Sequence, residues 1–430
     1  MKALILCAGL GKELTPITST IPKPMIVLQG KTILQRIIEN LRDCGIKDIV
    51  IVVGYRKEQV MNFFKNGFDF GVNINYVVQE SLKGVEDAIL KAKNLLEQEE
   101  FFILIHGDIV AEKGIISRVL NTHNYFDYCM TLALTLATKP ERYGSVLIDE
   151  EGRVKKIVEK PIAGKEPGNY VAAGVYILSS EIFKMLEKTP VLDQVIQNMI
   201  DQGVEFYGAI WEKNWVDIGR PWHVLKANKI IMEKKEEARI SKRAKIESGI
   251  KIEGPAIISA GAHIRSGACI IGPCYIGPNA YIGNNSLIRE YTDIGWNVIV
   301  GFGVELKNCL LMSGSKIGRL CFIGDSIVGK NADIGAAVTT VNVPFNKDET
   351  IKMNINGIEV DSNQKKLGAV IGEGVLIGSN VSIYPGKKIG AYSKIMPGTI
   401  IDQDIGDRMV VKNIVKMGVF QEDENQQTLF

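Results

Sequence analysis

The residue types and spacings best suited to chemistry come early in the chain. Leu6-Cys7-Ala8-Gly9-Leu10-Gly11-Lys12-Glu13 follows directly on an apolar run, and Ile21-Pro22-Lys23-Pro24-Met25 comes soon after. Two glycines after a buried strand let backbone N–H groups close around phosphate oxygens, and Lys23 can add a point charge. Such a turn is as often structural as functional, so what stands around it decides. Gly107-Asp108 ends another apolar run, and Asp217 lies within Trp215-Val216-Asp217-Ile218-Gly219.

The elements that must position these residues are short apolar strands alternating with helices. Ala3 to Cys7, Asp48 to Val53, Ile74 to Val78 and Phe101 to His106 read as buried strands. Between them, Lys31 to Asp43, Lys57 to Lys65 and Val85 to Gln98 carry apolar residues at three- and four-residue spacing, the helical period. This alternation predicts an α/β, Rossmann-like domain around a mostly parallel sheet. Ligands in such sheets sit outside the carboxyl ends of the strands, which puts Gly9 to Gly11 and Gly107-Asp108 at one rim.

Composition narrows the partners. The chain has 430 residues, enough for two or three domains, and 51 Lys and Arg nearly cancel 49 Asp and Glu. Without a basic surplus no nucleic-acid partner is expected. The apolar runs fall short of a membrane span, and Ala3 to Gly9 is too short for a signal-peptide core, so no membrane partner is expected. The seven cysteines include no CxxC pair, and the expected location is a reducing cytoplasm.

From Ile240 the texture changes. Isoleucine recurs every six residues at 240, 246, 252, 258, 264, 270, 276, 282, 288 and 294, continued by Val300, Leu306 and Met312. The pattern resumes at Ile371, Ile377, Ile383, Ile389, Ile395 and Ile401. A six-residue period predicts a left-handed parallel β-helix of hexapeptide repeats, every sixth side chain stacking inward on the coil below. Val341 to Lys366 breaks phase and must loop out. The expected domains are 1–230, then 240–405 for the β-helix, then a polar tail over 406–430. Pro221 to Ile240 reads as a charged helical linker with Glu233 to Glu237 as its solvated face. The stacked rod suits homo-oligomerisation.

The whole N-terminal string resembles the signature of the sugar-1-phosphate nucleotidyltransferases, a glycine-rich loop followed by Pro22-Lys23-Pro24-Met25 and Gly30-Lys31. Further landmarks follow in order: Gln79 with Gly84, Gly107-Asp108, Tyr143-Gly144, Glu159-Lys160-Pro161, Asn169 with Ala173-Gly174, and Trp215 to Gly219. The resemblance implies a nucleoside triphosphate (NTP) and a sugar 1-phosphate as substrates, the sugar phosphate attacking the α-phosphate in line and pyrophosphate leaving. It implies Mg2+ on Asp108 and Asp217, Lys23 on the nucleotide phosphates and Lys160 on the sugar phosphate. Leu6, Ala8, Gly9, Gly11, Gln79 and Gly84 would frame the nucleotide; Gly144, Glu159 and Asn169 would hold the sugar.

The family places an arginine in the loop where this chain has Glu13. Losing one such contact typically costs ~3–4 kcal/mol of transition-state stabilisation, and a carboxylate facing phosphate is worse. Lys12, one residue away, is the expected partial substitute and so joins Lys23 as a candidate catalytic residue. Two lesser departures are Glu86, where a small residue is usual, and Arg220, which replaces a threonine before Pro221.

A nucleotidyltransferase domain followed by a long β-helix resembles the bifunctional N-acetylglucosamine-1-phosphate uridyltransferase / glucosamine-1-phosphate acetyltransferase family, most of all its archaeal two-domain group. Such β-helices trimerise with acetyl-CoA between coils. Acetyl transfer needs a base, and the family's histidine and tyrosine are here Arg319 and Phe322, which cannot serve. Asn342 matches a family site residue, and Lys347 and Lys352 stand near two others. The expectation is therefore a Mg2+-dependent nucleotidyltransferase that makes a UDP- or dTDP-sugar from glucose or N-acetylglucosamine 1-phosphate, with acetyl transfer lost. The alternative is a weakened or inactive relative that binds a nucleotide sugar and regulates a partner.

Overall fold

In the computed structural model residues 1–81, 83–189, 191–233 and 237–413 are described. The first domain is built on a nine-stranded sheet. Four parallel strands form one half, in the order Phe101–His106, Lys2–Cys7, Asp48–Val53, Asn73–Val78. Tyr170–Ser179 then runs antiparallel to Phe101–His106 and to Met130–Leu136 on its other edge, and at Tyr170 and Val171 it also pairs with Gly144–Ile148, across from Met130–Leu136. The sheet is thus mixed, parallel where the glycine loop emerges and again where Phe206–Ile210 pairs with Met130–Leu136.

Alternate residues of the central strands feed two cores. Ala3, Ile5, Ile49, Ile51, Ile103 and Ile105 enter one, while Leu4, Val50, Val52, Phe102 and Leu104 enter the other. Strands buried on both faces read as continuous apolar runs because a two-residue period points successive side chains to opposite faces. Helix Ile33–Asp43 is capped by Thr32, whose hydroxyl accepts from Gln35 N at 3.0 Å. It buries Ile33, Leu34, Ile37, Ile38 and Leu41, one helical stripe. The single helix expected over Val85 to Gln98 is two, Val85–Lys91 and Lys93–Leu96, broken at Ala92.

The second domain is a left-handed β-helix of three parallel sheets with eight, nine and eight strands. The stacked row is direct in the register: Ile258 pairs with Ile276 and Ile276 with Ile294. The next coil is one residue short, since Ile294 pairs with Leu311. Leu311 therefore replaces Met312 in the inward row, and Met312 instead joins the apolar cluster of the first domain. After Thr340 the chain leaves the coil and forms an antiparallel hairpin, Ile351–Ile355 with Ile358–Gln364. The stack closes behind it, Val328 pairing with Ile371.

Two boundaries differ from expectation. Helix Pro221–Met232 is no solvated linker: Trp222, Val224, Leu225, Ala227, Ile230 and Met232 are buried. The last coil runs past 405, because Val410–Val411 pairs with Lys394–Ile395. Most of the expected tail, 414–430, lies outside the described residues, as does 234–236 of the expected linker. Among the described residues no helix is long and apolar enough to cross a membrane.

Candidate functional site

The glycine loop leaves the sheet through two close approaches. Gly107 packs so tightly that a Cβ there would lie 2.5 Å from Cys7 Sγ and 2.6 Å from the Leu6 carbonyl oxygen. Gly11 takes the left-handed conformation, φ 62°, that starts the turn Lys12–Leu14, and its carbonyl accepts from Thr18 Oγ1 at 2.7 Å. A Cβ at Gly9 would meet nothing within 4 Å, so this stretch of backbone faces open space.

Lys23, on the turn Lys23–Met25, places Nζ 2.7 Å from Asp108 Oδ2. Asp217 arrives by a short ladder: Trp215–Asp217 runs antiparallel to Ile109–Ala111, with Asp217 opposite Ile109. Ile218 N donates to the Asp108 carbonyl at 3.1 Å. The two aspartates thus meet because paired segments carry them, although 109 positions separate them in sequence.

Their electrostatics differ. Burial opposes ionisation of Asp108, but the charge and hydrogen bond of Lys23, with His106, together hold the carboxyl below its usual range. Asp217 is pushed up to about 7 by burial and by the charge of Asp108, with Lys23 only partly offsetting them. Excess negative charge between two oxygen-donor groups suits a hard divalent cation. Magnesium binds through one or two carboxylates and completes its shell with water and substrate phosphates. The donor set fits that ion.

Of the other expected residues, Lys160 lies near enough for its charge to act on Asp217. Gln79 is buried, and its amide donates to the Gly84 carbonyl at 3.0 Å and to Asp87 Oδ2 at 2.8 Å, so it shapes the loop above the strand ends. Leu6 and Ala8 lie at the end of the first strand and just beyond it. Lys160 is exposed, has φ 44°, and its Nζ stands 3.2 Å from Glu159 Oε1. Asn169 is exposed, its carbonyl accepting from Ala137 N at 3.2 Å. At Gly144 a Cβ would lie 3.2 Å from both Glu159 Oε2 and Asp193 Oδ2. Lys12 is exposed, and its side chain has no ion pair among the described residues.

Asp193 escaped the sequence reading. Burial, then Glu159 and Glu86, push it up to about 7. Its position in the helix Leu192–Asp201 looks like an ordinary acidic first turn, and nothing local in the sequence ties it to Glu159. Glu86 is a neighbour, with Oε1 accepting from Leu192 N at 3.1 Å. Arg220, noted only as a departure, is ion-paired through Nη1 with Glu13 Oε2.

On the β-helix Asn342 is buried and donates to Asp325 Oδ2 at 2.6 Å, while Asn308 donates to Asp325 Oδ1 at 2.5 Å. Arg319 is exposed and Phe322 part-buried beside Gly324. Lys347 is exposed, and Lys352 pairs with Glu359 at 3.2 Å.

Comparison with known proteins agrees with both halves. Residues 2–234 match the Nucleotidyl transferase family, 270–363 a GMPPB C-terminal domain, and 368–403 the bacterial transferase hexapeptide (six repeats). Bifunctional protein GlmU of Methanocaldococcus jannaschii is 38% identical over 416 residues, which cover 94% of this chain and 96% of that one. A bifunctional sugar-1-phosphate nucleotidylyltransferase/acetyltransferase of Sulfurisphaera tokodaii is 35% identical over 94% of this chain and 98% of its own. A UDP-glucose pyrophosphorylase solved with UDP-glucose aligns with a TM-score of 0.50 at 24% identity, covering 54% of this chain and 99% of its own, which speaks to the fold alone. The chain is therefore an enzyme of the sugar-phosphate nucleotidyltransferase family, in the two-domain form that joins the catalytic domain to a hexapeptide-repeat β-helix.

Proposed function

We propose that this enzyme transfers a nucleotidyl group from UTP or dTTP to glucose 1-phosphate or N-acetylglucosamine 1-phosphate, with Mg2+ held by Asp108 and Asp217. The observation that carries this reading is the meeting of Lys23, Asp108 and Asp217 at the rim where the glycine loop leaves the parallel strands. Phosphoryl transfer of this kind rests on positioning and charge neutralisation. Lys23 neutralises the nucleotide phosphates, and the backbone of Gly9 to Gly11 lies alongside them. Lys160 orients the sugar phosphate for in-line attack, while Gly144, Glu159, Asn169 and Asp193 hold the sugar hydroxyls. Leu6, Ala8, Gln79 and Gly84 frame the base. Bound Mg2+ would neutralise phosphate charge and align the reacting oxygens.

Loss of acetyl transfer belongs to the same reading. Arg319 and Phe322 offer no base, and the Asn342 amide is already committed to Asp325. The names of the bifunctional relatives favour the opposite, that both activities persist. A trimer through the β-helix and a cytoplasmic location, which suits seven free thiols, complete the proposal.

Pyrophosphate release by the purified chain with Mg2+, across four NTPs and several sugar 1-phosphates, tests the main reading. Turnover with one pair well above the rest is expected. Binding of nucleotide sugars with no turnover would favour the regulatory alternative. Acetylation of glucosamine 1-phosphate from acetyl-CoA would overturn the loss of the second activity.

A further inference from the structure

The two departures from the family pattern at residues 13 and 220 are one feature in space. Glu13 lies on the turn Lys12–Leu14, and Arg220 immediately precedes helix Pro221–Met232. Arg220 Nη1 pairs with Glu13 Oε2 and also donates to the Gly219 carbonyl at 3.0 Å. The pair borders the metal-binding aspartate: a Cβ built on Gly219 would lie 3.7 Å from Asp217 Oδ2 and 3.8 Å from Glu13 Oε2. Glu13 is also close enough to Lys23 and Asp217 for its charge to act on both.

The charges at this rim argue for a role. Glu13, Asp108 and Asp217 face Lys23 and Arg220, an arrangement in which Glu13 alone would repel a polyphosphate. Arg220 removes that repulsion and brings a guanidinium to the place where phosphate must pass. Among the described residues its partners, Glu13 and the Gly219 carbonyl, both meet Nη1, whereas a guanidinium carries five donors in a fork that matches phosphate. The side chain is 27% exposed, so it is neither buried away from the cleft nor free in solvent. Lys12, the expected substitute, has no such tether.

We propose that Arg220 is a phosphate-binding residue for the incoming nucleoside triphosphate, and that Glu13 is its positioning residue. The arrangement inverts the usual one, with the carboxylate on the glycine loop and the guanidinium ahead of the following helix. Glu13 holds the guanidinium at the rim, and the triphosphate takes over its free donors when it enters. This inference rests on the nucleotidyltransferase reading above.

The test is a comparison of wild type, Arg220→Ala, Arg220→Lys, Glu13→Gln and the double variant Glu13→Gln/Arg220→Ala. Steady-state kinetics are read separately for NTP and for sugar 1-phosphate, and NTP binding by calorimetry without the sugar. Arg220→Ala should lower kcat/KM for NTP about a hundredfold, as loss of one anion-stabilising donor does, and leave KM for the sugar phosphate within about twofold. Arg220→Lys should recover part of the loss because it keeps the charge without the fork. Glu13→Gln should cost about tenfold alone, the size expected of a positioning residue, and nothing further once Arg220 is gone. Unchanged NTP binding and kcat/KM in a folded Arg220→Ala, or independent effects of the two positions, would overturn the proposal. If Arg220→Ala does not fold, Arg220→Lys decides the matter, wild-type values counting against it. A wild type silent with every NTP would instead sink the proposed function, and calorimetry would still report whether Arg220 holds triphosphate.

Discussion

Asp293, buried in the β-helix, accepts a hydrogen bond from the backbone N–H of Gln29 at 2.6 Å and so ties the second domain to the loop beyond the Lys23–Met25 turn. Around it, Asn228 Nδ2 donates to the Tyr291 carbonyl at 3.0 Å, and the Tyr275 hydroxyl fills the space where Gly30 lacks a side chain. The β-helix is thus a structural wall of the catalytic domain.

Asp293→Ala would leave the Gln29 N–H without this acceptor and remove the acidic charge that acts most strongly on the buried Arg36 guanidinium. Breaking such buried polar contacts from one side typically costs ~3 kcal/mol. Urea denaturation should report a loss of that size, and Asp293→Asn a smaller one. Equal stability in all three proteins would mean the tie is incidental.

At the proposed catalytic rim, Lys23→Ala, Asp108→Asn and Asp217→Asn should each lower kcat about a hundredfold or more. The two aspartate variants should in addition need more Mg2+ for half-maximal turnover, whereas Lys23→Ala should not. A magnesium titration of each variant separates the two roles.

Asp193 sets a pH dependence. Its folded pKa of about 7 stands above the ordinary aspartate value of 3.8, raised by burial, Glu159 and Glu86 and opposed by Lys160. Between those values the folded protein keeps a proton that the unfolded chain releases, so this group's contribution to stability falls as pH rises, by up to about 1.4 kcal/mol per unit. Melting temperatures from pH 4.5 to 7.5 should decline on this account in the wild type. Asp193→Asn should flatten the decline, and an unchanged slope would place the proton elsewhere.

Trp296, Ile299, Phe302 and Leu320 are 55%, 43%, 50% and 58% exposed on neighbouring coils of the β-helix. Apolar side chains gathered on a rigid face mark an interaction surface, and the proposed trimer would cover it. Sedimentation at micromolar concentration should give a trimer for the wild type and a smaller species for Trp296→Glu/Phe302→Glu. A wild-type monomer would remove the assembly from the proposal.

Much of the architecture is legible in local patterns. The strands at Asp48 to Val53 and Phe101 to His106 stand where an unbroken apolar run puts them. The inward isoleucines from Ile258 to Ile294 follow the six-residue period of a hexapeptide β-helix. The miss at Met312 is equally instructive: a coil one residue short shifts the phase, and only strand pairing reveals that Leu311 fills the inward place. Helix Pro221–Met232 reads as part of a solvated linker because of the charged run from Glu233 to Glu237, while its apolar side chains are buried.

For the candidate site, the sequence by itself brought forward the glycine loop and Lys23 from local pattern, because turn glycines and loop charges are read within a few residues of a strand, and Asp108 and Asp217 through the family resemblance. Tertiary structure alone decided which charges oppose one another. Asp193 beside Glu159, Arg220 on Glu13 and Asp293 on Gln29 are all contacts between distant segments. Electrostatic energy depends on separation in space and on burial, and neither follows from position along the chain.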